Sequence, residues 1–230
     1  MRAFHPLIEL VLQASAWLQD GRRYRSPVRP DRILRVSPAD IQRMPTKSPN
    51  GTIPPTTVAG GNWDRSLKPI ADDVVYRSLD ARFNDRAEWG ETPYPAFLQG
   101  QRSEHGNLSW GAALDRCRQL DSLYQSIANY GYKRQTILLE EGVLLEDLTN
   151  DIRPPVYREV SVDITRDGEF VWHGDMHRLV IAKLLKLDTI PVRINTRHIR
   201  WQEKRELAYQ TGGSEEYADH PDLKYLTQDL

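Results

Sequence analysis

The strongest constraint on the fold is a change of hydrophobic period in the second half of the chain. From Val160 to Ile164 apolar and polar residues alternate, as in a strand with one buried face. Asp167 and Gly168 then predict a turn, and EFVWHG predicts a returning strand. A long apolar stretch from about Asp175 to Leu187 predicts a buried helix, and IPVRINTRHIRW alternates again. This order predicts an α+β fold.

The rest of the chain divides by composition. Residues 1–71 contain an apolar helical pattern, a short strand around Ile33 to Val36, and a long Pro-, Gly- and Thr-rich loop that ends in GGNWD. Residues 72–150 follow a helical period and predict a helical insertion. Residues 151–205 form the core described above, and residues 206–230 predict an acidic, polar tail with a short final helix.

Composition and charge argue against several classes of protein. The chain has 31 Lys+Arg and 32 Asp+Glu, so it lacks the basic excess of a protein that neutralises many nucleic-acid phosphates. Glu9 and Gln13 interrupt the apolar opening, which predicts no membrane span. Cys117 is the single cysteine, so no disulfide can form within the chain. Because no cleavable signal is recognised either, a cytoplasmic location is expected.

The buried helix of the core begins at a polar corner, HGDMHR. A helix N-terminus exposes unpaired N–H groups and a partial positive charge, which attract phosphate or carboxylate. Gly174 allows close approach, and His177 and Arg178 add cationic groups in the first turn, so an anion is expected here. Alternatively, Asp175 caps the helix and partly neutralises Arg178 without any ligand. The residues alone leave both interpretations open.

Two metal sites can be considered. His173 and His177 lie four residues apart, but Gly174 is expected to begin the helix and to leave His173 outside it. With no third ligand nearby, zinc is disfavoured. Mg²⁺ carried by a nucleotide needs only one or two protein carboxylates, and Asp64 and Asp175 are the candidate ligands. Asp64 is equally consistent with a structural role in a loop turn.

The core stretch EVSVDITRDGEFVWHGDMHRLVIAKLLKLDTIPVRI resembles the ParB/sulfiredoxin-like superfamily. The likeness consists of strand, Asp-Gly turn, strand, G-x-x-H-R, apolar helix and I-P-V strand, over roughly residues 156–200. Ile33 to Asp40 and the loop from Gly60 to Asp64 are possible earlier parts. The chain also resembles an uncharacterised prokaryotic group with a G-G-D-W-D motif, in which this chain has Asn62 instead of an acid.

The resemblance implies a small mixed sheet with packed helices, and a helix start that binds nucleotide phosphates through Gly174, His177 and Arg178. Sulfiredoxin activity is disfavoured because Met176 stands where those proteins carry a reactive cysteine. Chromosome partition is disfavoured because only a short acidic stretch follows Trp201, without room for a helix-turn-helix domain. The branch that resembles free-serine kinases fits this chain best.

The resulting hypothesis is a nucleotide-binding protein, a phosphotransferase (kinase or NTPase) that uses ATP or ADP with Mg²⁺ and a small hydroxylated substrate. His177 and Arg178 would neutralise phosphate charge. Asp64 would act as base or magnesium ligand, Asp175 would orient or ligate, and Trp63 would stack on a base.

Two alternatives remain at this point. One is a noncatalytic, nucleotide-controlled or DNA-associated module that uses the basic segment from Arg193 to Lys204. The other is a purely structural protein whose polar corner is simply a capped helix.

Overall fold

The computed structural model describes residues 32–47, 57–100, 108–141, 154–213 and 216–224, together with Leu226 and scattered residues before position 32. The predicted opening helix and residues 48–56 of the predicted long loop therefore lie largely outside the described residues. Among the described residues, no helix is long and apolar enough to cross a membrane.

A mixed sheet of seven strands forms the centre of the fold. The strands are Ile33–Val36 (β1), Arg43–Pro45 (β2), Thr57–Ala59 (β3), Leu67–Pro69 (β4), Val160–Ile164 (β5), Phe170–Gly174 (β6) and Ile190–His198 (β7). Their order is β1-β7-β5-β6-β2-β4, and β3 also pairs with β7. β5 and β6 form the predicted antiparallel hairpin, and β7 runs parallel to β5. The predicted α+β class and the short strand β1 are confirmed.

Seven helices surround this sheet in the described part of the chain. They are Val74–Phe83 (α1), Tyr94–Gly100 (α2), Trp110–Tyr130 (α3), Gln135–Glu140 (α4), Met176–Leu184 (α5), Ile199–Thr211 (α6) and Pro221–Lys224 (α7). The Asp73 side chain caps α1 by accepting from the Val75 N–H, and the Ser109 hydroxyl caps α3 in the same way. α3 ends at Gly131, whose φ of 77° suits glycine.

The helical segment between residues 72 and 141 shares one core with the sheet. α1 and α3 pack against α5, the helix that follows the hairpin. Buried apolar residues of these helices and of β5, β6 and β7 belong to one hydrophobic cluster. Trp89 and Tyr94 are buried in it, whereas Phe97 and Trp110 are 41% and 43% exposed. Helices and sheet therefore stabilise each other.

The strand β7 is buried along its whole length, and it is paired with β5 on one side and with β1 and β3 on the other. Arg193 and Arg197 are only 3% and 1% exposed. The basic segment considered above as a nucleic-acid surface is therefore not a continuous exposed patch, since two of its arginines are inside the fold.

The segment predicted as an acidic tail from residue 206 begins within α6, which continues to Thr211, and includes the short helix α7. Asp222 of α7 is fully buried. Its carboxylate accepts hydrogen bonds from Arg197 (2.9 and 2.6 Å) and from Trp201 Nε1 (3.0 Å), and it lies 3.2 Å from Arg205 Nε. Burial raises the pKa of Asp222, but the two arginines outweigh burial and hold it far below its usual range. The C-terminal segment is thus tied to the core.

We expect Asp222→Asn to lower the free energy of unfolding by about 3–5 kcal/mol, because it leaves two buried guanidinium groups without their counter-charge. The measurement is chemical denaturation followed by circular dichroism. The matched control is Asp219→Asn, since Asp219 is exposed and three residues away. Equal stability of the two variants would show that this ion-pair cluster does not hold the segment.

Candidate functional site

The start of α5 differs from the predicted helix start. Gly174 is the last residue of β6 and not the first residue of the helix, which begins at Met176. Asp175 occupies the N-cap position in a left-handed backbone conformation (φ 59°, ψ 66°), and in this described segment its side chain makes no capping hydrogen bond. A left-handed aspartate costs roughly 1 kcal/mol relative to ordinary backbone. Capping by the Asp175 carboxylate therefore does not explain the polar corner.

Gly174 is explained by the packing of the hairpin. A Cβ atom at this position would lie 2.6 Å from the Ser161 hydroxyl on the paired strand. The register between β5 and β6 shifts here, between Ser161 and Val162. A side chain at position 174 would therefore require the Ser161 hydroxyl to move, at the bulge that ends the hairpin immediately before the helix start.

His177 is held by the helical segment. Its Nε2 lies 2.6 Å from the Tyr94 hydroxyl, and the two rings meet edge to face. Burial lowers the pKa of His177, although Asp175 and Asp73 raise it, and burial raises the pKa of Tyr94. Both groups are therefore neutral near pH 7. If the phenol donates to Nε2, the imidazole carries its proton on Nδ1 and can donate it to a ligand.

Arg178 is 4% exposed and lies among residues that precede α4 and β5. Its guanidinium group stacks on the Tyr132 ring at 4.2 Å and donates to the Lys133 carbonyl. Arg178 Nη1 is 3.9 Å from Glu159 Oε2, which is an ion pair but too long for a hydrogen bond. We call the group formed by Arg178, Tyr132, Glu159 and the neighbouring Arg134 the Arg178 pocket.

Several polar atoms of the Arg178 pocket have no hydrogen-bond partner among the described residues. They are Nε and Nη1 of Arg178, Oε2 of Glu159, the Tyr132 hydroxyl and Nε of Arg134. Each unsatisfied buried group costs about 1–3 kcal/mol, so such a cluster indicates a missing polar partner. Burial raises the pKa of Glu159, even though Arg178 and the backbone of Gln135 lower it.

Asp64 belongs to a different part of the molecule. Its carboxylate accepts two hydrogen bonds from the Arg166 side chain (2.7 and 2.6 Å) and one from the Arg166 N–H (3.0 Å). Burial raises the pKa of Asp64, but the hydrogen bonds from Arg166 outweigh burial and lower this pKa to about 2. Arg166 Nη2 also donates to Gly61 O and Asn62 Oδ1. The GGNWD loop is thus fixed on the turn between β5 and β6.

The structure does not bring all predicted site residues together. Asp64 contacts Arg166 at the turn of the hairpin, whereas Asp175 follows Gly174, which pairs with Ser161 at the other end. From Ser161 to Arg166 an extended chain spans about 16 Å. Trp63 lies with Asp64, its ring 6.0 Å from that of His198. Gly174, Asp175, His177 and Arg178 therefore form one group, and Trp63 and Asp64 form another.

An open pocket of about 300 Å³ lies beside Asp64. Its charged lining residues are Arg43, Arg65, Arg166, Asp64, Asp167 and Glu169. Because three cationic and three anionic side chains face it, this pocket has no net charge that would favour an anion. The start of α5 is the better candidate for phosphate. In the described residues no group of three or more His, Cys, Asp or Glu side chains is arranged to hold a metal ion.

Sequence reasoning missed the polar residues around the helix start. The sequence pattern assigns no role to Tyr132, Glu159, Asp163 and Asn195. It indicates His173 only as a possible zinc ligand. Asp163 accepts from His173 Nδ1 at 3.0 Å and from Asn195 Nδ2 at 3.2 Å. The available signal is the hairpin register, since residue 163 pairs with residue 171 when the turn is centred on Asp167, and residue 173 then lies on the same face as residue 163.

A scan against protein-family models, a search of curated proteins and a search of solved structures found no match to this chain.

We expect the free energy of unfolding to decrease as the pH falls below about 6.5, partly through His177. Its pKa is lower in the folded than in the unfolded chain, so the unfolded chain binds more protons in that window. The measurement is urea denaturation at pH 7.5 and pH 5.5. His177→Asn should lose less stability between these pH values than the unsubstituted chain, while His220, whose pKa is also lowered by burial, contributes equally to both. The same loss in both proteins would contradict the assignment.

Proposed function

We propose that this chain is a cytoplasmic protein that binds a nucleotide through its phosphates at the start of α5. We further propose that it transfers a phosphoryl group to a small hydroxylated substrate. The observation that carries the proposal is the Arg178 pocket, where buried donors without partners among the described residues adjoin the N-terminus of α5. ATP or ADP is the proposed nucleotide, as the resemblance implies.

A phosphate group matches the donors at this place. The first-turn N–H groups of a helix point out of its N-terminus and carry partial positive charge. Arg178 adds Nε and Nη1, and His177 adds its Nδ1 proton if Tyr94 donates to Nε2. An anion that accepted these hydrogen bonds would remove the cost of burying the donors unsatisfied.

Glu159 is compatible with an anion in spite of its acidity. Its raised pKa favours the protonated carboxyl group over a wider pH range than for an exposed glutamate. A protonated Glu159 would not repel a phosphate and would offer one more donor. A carboxylate at this position would instead compete with the ligand for Arg178, so nucleotide affinity is expected to depend on the state of Glu159.

Magnesium is proposed to enter with the nucleotide and to keep most of its waters. Asp64 and Asp175 do not form a two-carboxylate magnesium site, because they lie at opposite ends of the hairpin. Neither is therefore assigned as a metal ligand. Asp64 is also too far from α5 to act as base on a group transferred there, so the base of the proposed reaction must be sought nearer to Gly174.

The helical segment between residues 72 and 141 is proposed to select the substrate. Tyr94, at the start of α2, reaches His177, and Tyr132, before α4, covers Arg178. These two aromatic residues bring the helical segment to the helix start from two positions in the sequence. A ligand at the start of α5 would contact this segment as well as the sheet.

The test is isothermal titration of the chain with ATP, ADP, CTP and GTP in the presence of magnesium. We expect Arg178→Lys to weaken binding by about 10- to 100-fold, because charge is kept while hydrogen bonds to a charged group are lost. The matched control is Arg200→Ala, which removes an exposed cation on α6 and should leave affinity unchanged.

Three outcomes separate the parts of the proposal. No heat with any nucleotide would reject nucleotide binding. Unchanged affinity of a folded Arg178→Lys variant would reject the site. Binding without release of product, in the presence of a panel of small alcohols, would reject phosphoryl transfer and favour a noncatalytic, nucleotide-controlled protein.

A further inference from the structure

A second cluster of polar residues lies beside the helix start, across three neighbouring strands. His173 of β6, Asp163 of β5 and Asn195 of β7 contact one another at hydrogen-bond distance. Asp163 is fully buried and Asn195 is 8% exposed, whereas 29% of the His173 side chain is exposed. We call these three residues the His173 cluster.

The hydrogen bonds of the His173 cluster fix the orientation of the imidazole. Asp163 Oδ2 lies 3.0 Å from His173 Nδ1, and Asp163 Oδ1 accepts from Asn195 Nδ2 at 3.2 Å. The second proton of Asn195 Nδ2 has the Thr196 hydroxyl as acceptor at 3.1 Å, so Asn195 has no further proton to donate to His173. His173 therefore donates from Nδ1 to the buried carboxylate, which leaves the lone pair of the neutral ring on Nε2.

The partners of His173 and Arg178 come from one short segment of the chain. Val160, Val162 and Ile164 of β5 belong to the hydrophobic cluster, so the alternate residues Ser161 and Asp163 face the other side of the strand. Glu159, which directly precedes β5, pairs with Arg178, and Asp163 pairs with His173. The two acidic partners are therefore four residues apart in sequence.

The hairpin register places His173 on the face of Asp163, because Asp163 pairs with Val171, two residues before His173. Val162 pairs with Trp172 and Ser161 pairs with Gly174, so His173 is also the extra residue of β6. Such bulges are common next to functional sites. His173 directly precedes Gly174 and is therefore adjacent to the proposed phosphate site.

We infer that His173 is the general base of the proposed transfer, with Asp163 and Asn195 as positioning residues. This inference rests on the function proposed above. The substrate hydroxyl gives its proton to His173 Nε2 while its oxygen forms a bond to the terminal phosphorus of a nucleoside triphosphate. The bond from that phosphorus to the bridging oxygen breaks, and the nucleoside diphosphate leaves with the electron pair.

The geometry assigns separate tasks to the three residues. Asp163 holds the imidazole in the tautomer with its proton on Nδ1 and stabilises the cation that forms when Nε2 takes up a proton. Asn195 holds the carboxylate of Asp163 in place by donating to its second oxygen. A purely structural cluster would need the same hydrogen bonds but would leave turnover unaffected by a replacement that keeps the fold.

The test compares binding, turnover and tautomer in four proteins: the unsubstituted chain, His173→Gln, Asp163→Asn and Asp188→Asn. Asp188 is exposed in the turn before β7 and serves as the matched control. We expect His173→Gln to bind ATP within about threefold of the unsubstituted chain and to lose about 10²- to 10⁴-fold in turnover, the usual contribution of a general base. Added imidazole should restore part of the turnover to a His173→Gly variant.

The ¹⁵N shifts of His173 provide a measurement that does not depend on activity. We expect the Nδ1-protonated tautomer in the unsubstituted chain and a changed tautomer population in Asp163→Asn, because an asparagine amide can donate to Nδ1. Full turnover in His173→Gln, or an Nε2-protonated His173 in the unsubstituted chain, would overturn the role of His173 and leave the proposed function intact. Absence of turnover in the unsubstituted chain would overturn both.

Discussion

The fold depends on a central strand that is buried on both faces although it carries charged and polar side chains. β7 is paired with β5, β1 and β3, and none of its residues is exposed. A buried polar group is tolerated only when a partner satisfies it. Arg197 has Asp222, Asn195 has Asp163, and Arg193 lies over the Tyr157 ring. These partners come from distant parts of the chain, which is why the C-terminal segment and the hairpin are fixed relative to β7.

The need to satisfy buried polar groups is met differently at the two ends of the hairpin. At the turn, Asp64 accepts two hydrogen bonds from the Arg166 side chain, and the charged residues that line the neighbouring pocket balance. At the other end, Arg178 and Glu159 approach each other without a hydrogen bond, and atoms of both lack a partner among the described residues. An ion pair joined by hydrogen bonds stabilises a loop, whereas an ion pair without hydrogen bonds leaves donors for a ligand. This contrast, more than the presence of charge, is the reason to place the proposed phosphate site at α5.

Much of the architecture could be predicted from the sequence, because hydrophobic period is a local property. The hairpin, the buried helix and β7 follow from alternation and from the Asp-Gly turn. The separation of Asp64 from Asp175 could not be predicted in this way, because it depends on a contact between Asp64 and Arg166 across 102 positions. The bulge at His173 could not be predicted either, because one extra residue in a strand does not clearly change a short alternating pattern.

The site proposed here combines contributions from two kinds of structure. The sheet supplies groups whose positions are fixed by strand pairing, as for Asp163 and His173, and a fixed position is what proton transfer requires. The helical segment supplies Tyr94 and Tyr132, which contact the first turn of α5 from outside the sheet. In the proposed function, the long helical segment is the part that adapts the proposed nucleotide-binding core to one substrate.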